Sequence, residues 1–130
     1  MPITRIEMRA GKTPQFKKEL LDIVHEALVY AFAIPDSDRN QRLYELAAEN
    51  MEIPANKSAD FIQIEITVFR GRTFEAKKNL YRKITDELTA RLGIRGDDVC
   101  IILQEVPLEN WGIRGGRPAS EVDLGFDVKV

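Results

Sequence analysis

Residues 9–20 read RAGKTPQFKKEL and residues 69–80 read FRGRTFEAKKNL. Laid over one another, Gly11 falls on Gly71, Thr13 on Thr73, Lys17 and Lys18 on Lys77 and Lys78, and Leu20 on Leu80. The same offset of 60 residues holds on both sides of these stretches without a gap. Ile6 meets Ile66, Leu28 meets Leu88, Ile34 meets Ile94, Asp38 meets Asp98, Leu43 meets Leu103 and Glu45 meets Glu105. Self-similarity at a fixed offset reports architecture: two copies of one supersecondary unit, about 2–46 and 62–106.

Each copy reads as strand, helix, strand. Residues 2–9 alternate in polarity, and residues 61–69, FIQIEITVF, are rich in β-branched and aromatic types, so both predict strands. A glycine turn follows each one. Thr13 and Thr73 then suit helix N-caps, and Pro14 suits the first helical position, where its missing N–H is not needed. Leu20, Val24, Leu28 and Phe32 form one apolar stripe, and Leu80, Ile84, Leu88 and Leu92 form the other. Gly93 is placed to end the second helix. Second strands are predicted around 39–46 and 98–106, the latter reading DVCIILQEV.

A strand–helix–strand crossover pairs its strands in parallel with a right-handed connection. Two such units predict a single α/β domain over residues 1–130, an α+β sandwich with a four-stranded mixed sheet and both helices on one face. The repeat is expected to bring the starts of the two helices near each other in the sheet plane. Residues 47–60, AAENMEIPANKSAD, are polar, weakly patterned and align with nothing. The segment ENWGIRGGRPAS (109–120) is glycine-rich and irregular, and EVDLGFDVKV (121–130) alternates strictly, predicting a strand. Residues 107–130 therefore read as an oligomerisation tail, its strand pairing with a neighbouring subunit. The uncovered edges and open face of a four-stranded sheet point the same way.

Charge is nearly balanced, with 19 basic and 21 acidic residues and a net charge of −2. That argues against a nucleic-acid or anionic-membrane partner, both of which favour a basic face. Cys100 stands alone, no apolar run approaches a membrane span, and the start lacks a signal pattern, so a cytoplasmic protein is expected. One histidine and one cysteine far apart predict no metal site, and no cofactor motif is present.

Chemistry has a few candidate carriers. Pro2, once Met1 is removed, presents a secondary amine at the start of the first strand. Arg70 and Arg72 flank Gly71 after the third strand, Asp38 precedes the second in PDSDRN, and Trp111, Ile113 and Arg114 lie in the glycine-rich segment. Each has an ordinary alternative. Arg-Gly-Arg is a common solvated turn, Asp38 suits an Asx turn, and Trp111 suits a core or interface anchor. His25 reads as a partly exposed structural histidine and Cys100 as a small hydrophobe.

The combination is more specific than its parts. Pro2, the duplicated β-α-β unit, LLDIVHEALVYAFAIPDSDRNQ around Asp38, VFRGRTFEAKKNLY around the arginines, GIRGDDVCIIL and the tail NWG together resemble the tautomerase superfamily. The likeness covers essentially the whole chain and is strongest to malonate semialdehyde decarboxylase and its relatives. It implies a cofactor-independent enzyme, a homotrimer, catalytic roles for Pro2, Asp38, Arg70 and Arg72, and a substrate-binding set of Arg70, Arg72, Trp111 and Ile113. Two departures stand out. Gly71 occupies the place of a proline between the arginines, and Ile113 that of a second pocket aromatic.

What the resemblance implies is chemically coherent. Guanidinium forks match a carboxylate, which suggests a small organic acid as substrate. An α-amino group titrates near ~8, so modest tuning decides its role. As a neutral base Pro2 would interconvert keto and enol forms of a 2-oxo acid such as phenylpyruvate. As a cation it would stabilise the enolate left by departing CO2. Schiff-base formation is a third route, and a non-catalytic trimeric binding module is the alternative of another class.

Overall fold

The computed structural model describes residues 2–130; Met1, and with it the expected removal of that residue, lies outside the described residues. Strand β1 spans Ile3–Arg9, helix α1 Pro14–Phe32 and strand β2 Gln41–Leu46. The second unit follows as β3 (Ile62–Phe69), α2 (Phe74–Leu92) and β4 (Val99–Val106). Both predicted caps form. Thr13 Oγ1 accepts from Phe16 N and Thr73 Oγ1 from Ala76 N, each at 3.1 Å. Gly93 closes α2 in the left-handed region, at φ 68°.

The sheet order is β2-β1-β3-β4. The pairs β1–β2 and β3–β4 are parallel, while β1 and β3 meet antiparallel, Ile6 opposite Ile64. That antiparallel junction corrects one expectation, because each helix starts where its own first strand ends. The two helix starts therefore lie at opposite ends of the sheet. One sheet face is covered: Ile6, Met8, Ile62, Ile64, Ile66 and Val68 pack with Leu20, Val24, Leu28, Leu80, Ile84 and Leu88. Burial of these apolar side chains is the main force holding the layers together. The repeat also duplicates an ion pair from each helix's first turn to its own second strand, Lys17–Glu45 at 2.8 Å and Lys77–Glu105 at 2.5 Å.

Residues 47–60 prove to belong to the repeat. The 3-10 turn Ala48–Asn50 has a mate in Leu108–Asn110. Asn50 N donates to Ala47 O, and Asn110 N to Pro107 O in the same way. With the offset carried forward, Glu49 meets Glu109, Asn50 meets Asn110, Ile53 meets Ile113 and Ala59 meets Ala119. The segment returns to β3 under the grip of Asp98, which is buried and accepts from Ser58 N (2.9 Å), Ser58 Oγ, and Arg95 Nε and Nη2.

Arg95, then Ser58, hold the Asp98 carboxyl far below the usual carboxylate range. A depressed folded pKa stabilises the fold above the carboxyl's unfolded value near ~4, and this stabilisation fades as pH falls further. We expect Asp98→Ala to lower the melting temperature by about 5 °C at pH 7, with the gap to wild type narrowing in acid. Calorimetry at pH 7 and pH 3 checks both, and an equal gap at the two values would contradict the assignment.

The tail packs on its own chain. Residues 121–130 form no strand in this chain. Gly125 N donates to Asp123 Oδ1 and Lys129 N to Asp127 Oδ1, both at 2.9 Å, so local side-chain acceptors take backbone donors that a ladder would use. The alternation survives as packing. Val122, Leu124, Phe126, Val128 and Val130 are half-buried while the residues between them are exposed. The glycine-rich stretch contains a small hairpin, β5 (Gly112–Ile113) with β6 (Arg117–Pro118).

Candidate active site

The register gathers the candidate residues at one end of the sheet. Thr4 faces Gln41 across β1–β2, and Thr4 N donates to Asn40 O, so Pro2 and Asp38 sit where these strands begin. Ile3 faces Thr67 across β1–β3, so the end of β3, with Arg70 to Arg72, flanks the same place. Phe69 pairs with Val106 and brings the end of β4 alongside. Pro2 is buried and Asp38 half-buried, its amide donating to Pro35 O in the PDSD turn. His25 is buried rather than partly exposed, with Nε2 3.2 Å from Asp36 Oδ1, and so ties α1 to that turn.

The two arginines have different surroundings. Arg72 is only 7% exposed. Its guanidinium lies 4.9 Å from the ring centre of Phe32, at the end of α1, and 5.9 Å from that of Phe126. Nη1 donates to Phe69 O at 3.4 Å, while Nε is buried with no hydrogen-bond partner among the described residues. Burial pulls its proton affinity below the ordinary value, opposed by the charges of Asp127 and Glu105, and arginine stays cationic throughout. Arg70 is exposed and lines a hollow of about 370 Å3 with Gly71, Pro107, Leu108, Glu109, Ser120 and Lys129.

Glycine is required between them. Gly71 has φ 140°, and a Cβ there would stand 2.9 Å from Val128 O. Gly71 N also donates to Glu105 Oε2 at 3.4 Å. Burial alone would raise the Glu105 carboxyl, but Lys77, this N–H and the charge of Arg70 hold it below its usual value. The tail completes the enclosure, with Thr73 N donating to Val130 O at 2.8 Å.

Trp111 packs edge-on against Phe69 (centroids 4.7 Å apart, planes at 68°), and its Nε1 donates to Val106 O. Ile113 is half-buried opposite Arg117 in the hairpin. Sequence reasoning missed Phe32 and Phe126 as the walls around Arg72. Phe126 was visible as the aromatic of the alternating tail, but that tail read as a strand for a neighbour rather than as a cover for its own chain. Cys100 is half-buried in β4 and takes no part here.

Two family models, each described as tautomerase enzyme, match residues 38–114 and residues 2–57. A Bacillus subtilis (strain 168) protein named "Probable tautomerase YusQ" is 30% identical over 122 residues, spanning 90% of this chain and 96% of its own. A malonate semialdehyde decarboxylase, solved as wild type, as a proline-to-alanine mutant and in inactivated form, superposes with a TM-score of 0.81 at 28% identity. That likeness covers 89% of this chain and 93% of the decarboxylase. A fused 4-OT, a symmetric trimer, gives 0.81 at 26% identity over 91% and 96%. The chain belongs to the tautomerase family, and it is an enzyme of that superfamily. No helix among the described residues is long and apolar enough to cross a membrane.

Proposed function

We propose that the chain acts on a small oxo acid through the amine of Pro2, decarboxylating it in the manner of malonate semialdehyde decarboxylase. The observation that carries this reading is Arg72, a buried cation with an N–H unpartnered among the described residues, at the end of the sheet where Pro2 and Asp38 begin their strands. A buried unpaired donor is costly, and a substrate carboxylate would satisfy it. Arg70 supplies a second cation at the mouth. The bond between the α-carbon and the carboxylate breaks, CO2 leaves, and the electron pair passes through that carbon to the oxygen of the β-carbonyl. Cationic Pro2 hydrogen-bonds to that oxygen, and the enolate carbon then takes a proton. The negative charge of Asp38 disfavours the substrate carboxylate and so favours its loss as neutral CO2, with Trp111 and Ile113 proposed as apolar walls. The likeness to a decarboxylase that was itself studied as a proline-to-alanine mutant supports the choice.

A second reading, keto–enol tautomerisation of an acid such as phenylpyruvate by neutral Pro2, draws on the hollow beside Arg70. Its volume of about 370 Å3 is of ligand-pocket size and roomy for a three-carbon acid. Proton NMR of untagged protein with malonate semialdehyde decides between them. Acetaldehyde supports decarboxylation; its absence together with turnover of phenylpyruvate enol supports the second reading, and silence with both sinks the two. We also propose a homotrimer, supported by the uncovered sheet face, where Tyr44 and Ile102 are exposed, and by the likeness to a trimeric fused 4-OT. Sedimentation as a monomer at micromolar concentration would end that proposal.

A further inference from the structure

The duplication gives the proposed site a mate at the other end of the sheet. With the offset of 60, Ile62 stands for Pro2, Asp98 for Asp38, Ala10 for Arg70, Lys12 for Arg72, and Asp60 for Ser120. A hollow of about 180 Å3 lies there, lined by Arg9, Ala10, Gly11, Lys12, Ala59 and Asp60. Three observations show what it has kept and lost. The Nε of Arg9 is buried with no hydrogen-bond partner among the described residues. A Cβ at Gly11 would meet nothing within 4 Å, whereas at Gly71 the same position is occupied by Val128, so the tail covers one end and leaves the other open. The chemistry is gone, because Ile62 carries a peptide nitrogen and Asp98 is held by Arg95 and Ser58.

We propose that this end is a second anion-binding site, taking a small carboxylate on Arg9 and Lys12 without turning it over. The one acid in the hollow is Asp60, whose Oδ1 accepts from Lys12 Nζ at 2.7 Å. That pair is partly exposed, 33% and 50% at its two side chains, and pairs of this kind contribute little, so an incoming carboxylate displaces Asp60 at small cost. The carboxylate is then shared between Lys12 and the guanidinium of Arg9, which lines the hollow. The proposal is independent of what Pro2 does.

The test is a titration of nitrogen-15-labelled full-length protein with malonate, beside sodium chloride at matched ionic strength. We expect the amide signals of Gly11 and Lys12 to move and saturate with malonate only. Arg9→Gln should weaken binding about fivefold, and Asp60→Asn, which removes the competing carboxylate, should tighten it about threefold. In Arg72→Gln the Gly11 response should persist while that of Gly71 is lost. Equal responses to chloride and malonate, or no tightening in Asp60→Asn, would overturn the proposal. The Asp60→Asn arm stands even if Arg9→Gln fails to fold.

Discussion

Pro2→Ala is expected to lower kcat/KM for the oxo acid by at least ~100-fold while leaving the melting temperature close to wild type. A positioned acid or base contributes on the order of 10^2–10^4 in rate. The substitution falls at the edge of β1, before its first paired residue, so the sheet ladder is untouched. Alanine still presents an amine, and for that reason the pH profile carries more information than the loss itself. If the cationic amine does the work, wild-type kcat/KM falls as pH rises through the amine's titration; if the neutral amine does it, the rate rises over the same window. Activity in protein shown by intact mass to retain Met1 would contradict both mechanisms, because Pro2 would then be an amide.

Arg72→Met should separate activity from stability. Methionine keeps much of the stem that packs between Phe32 and Phe126 but removes a cation held 7% exposed. Loss of a charge-assisted hydrogen bond to a carboxylate is worth roughly 2–3 kcal/mol, or about 30- to 160-fold in kcat/KM. Replacing a buried, incompletely paired charge by an apolar side chain of similar length commonly stabilises a fold. Arg72→Met should therefore melt a few degrees higher than wild type while losing most of its turnover. Arg72→Lys should restore little, since a point charge does not reproduce the fork. A variant that both melts lower and keeps its activity would show that Arg72 is a packing residue and nothing more.

The duplication made most of the fold legible in the residues. Thr13 and Thr73, the two helix stripes and the period-two strands carry local signals, and these set caps, faces and parallel pairs. The antiparallel β1–β3 junction has no such signal. It depends on how two finished units meet, and the expected neighbourhood of the helix starts failed there. Within its own chain the alternation of the tail is expressed as packing, with Asp123 and Asp127 hydrogen-bonding the backbone two residues on; its pairing with a neighbouring subunit belongs to the proposed trimer. Pro2, Asp38 and the arginines could be proposed from the residues alone, whereas the inward course of Arg72 rests on Phe32 and Phe126, which are 94 residues apart in the chain (126 − 32). Residues 47–60 were opaque because their match to 107–120 lies in scattered identities, made visible only by the shared 3-10 turn.

Val130 accepts from Thr73 at the same end of the sheet where Pro2 begins β1. Chain ends that share one end of a sheet ordinarily invite circular permutation, a rejoining of old termini and opening of new ones that compact domains tolerate well. Here the fold should survive that operation, with new ends opened in the polar loop near Ala55. The joined linker would convert the Pro2 amine into a peptide bond. Permutation therefore separates, in one molecule, the order of elements that folds the sheet from the single free nitrogen on which the proposed chemistry depends.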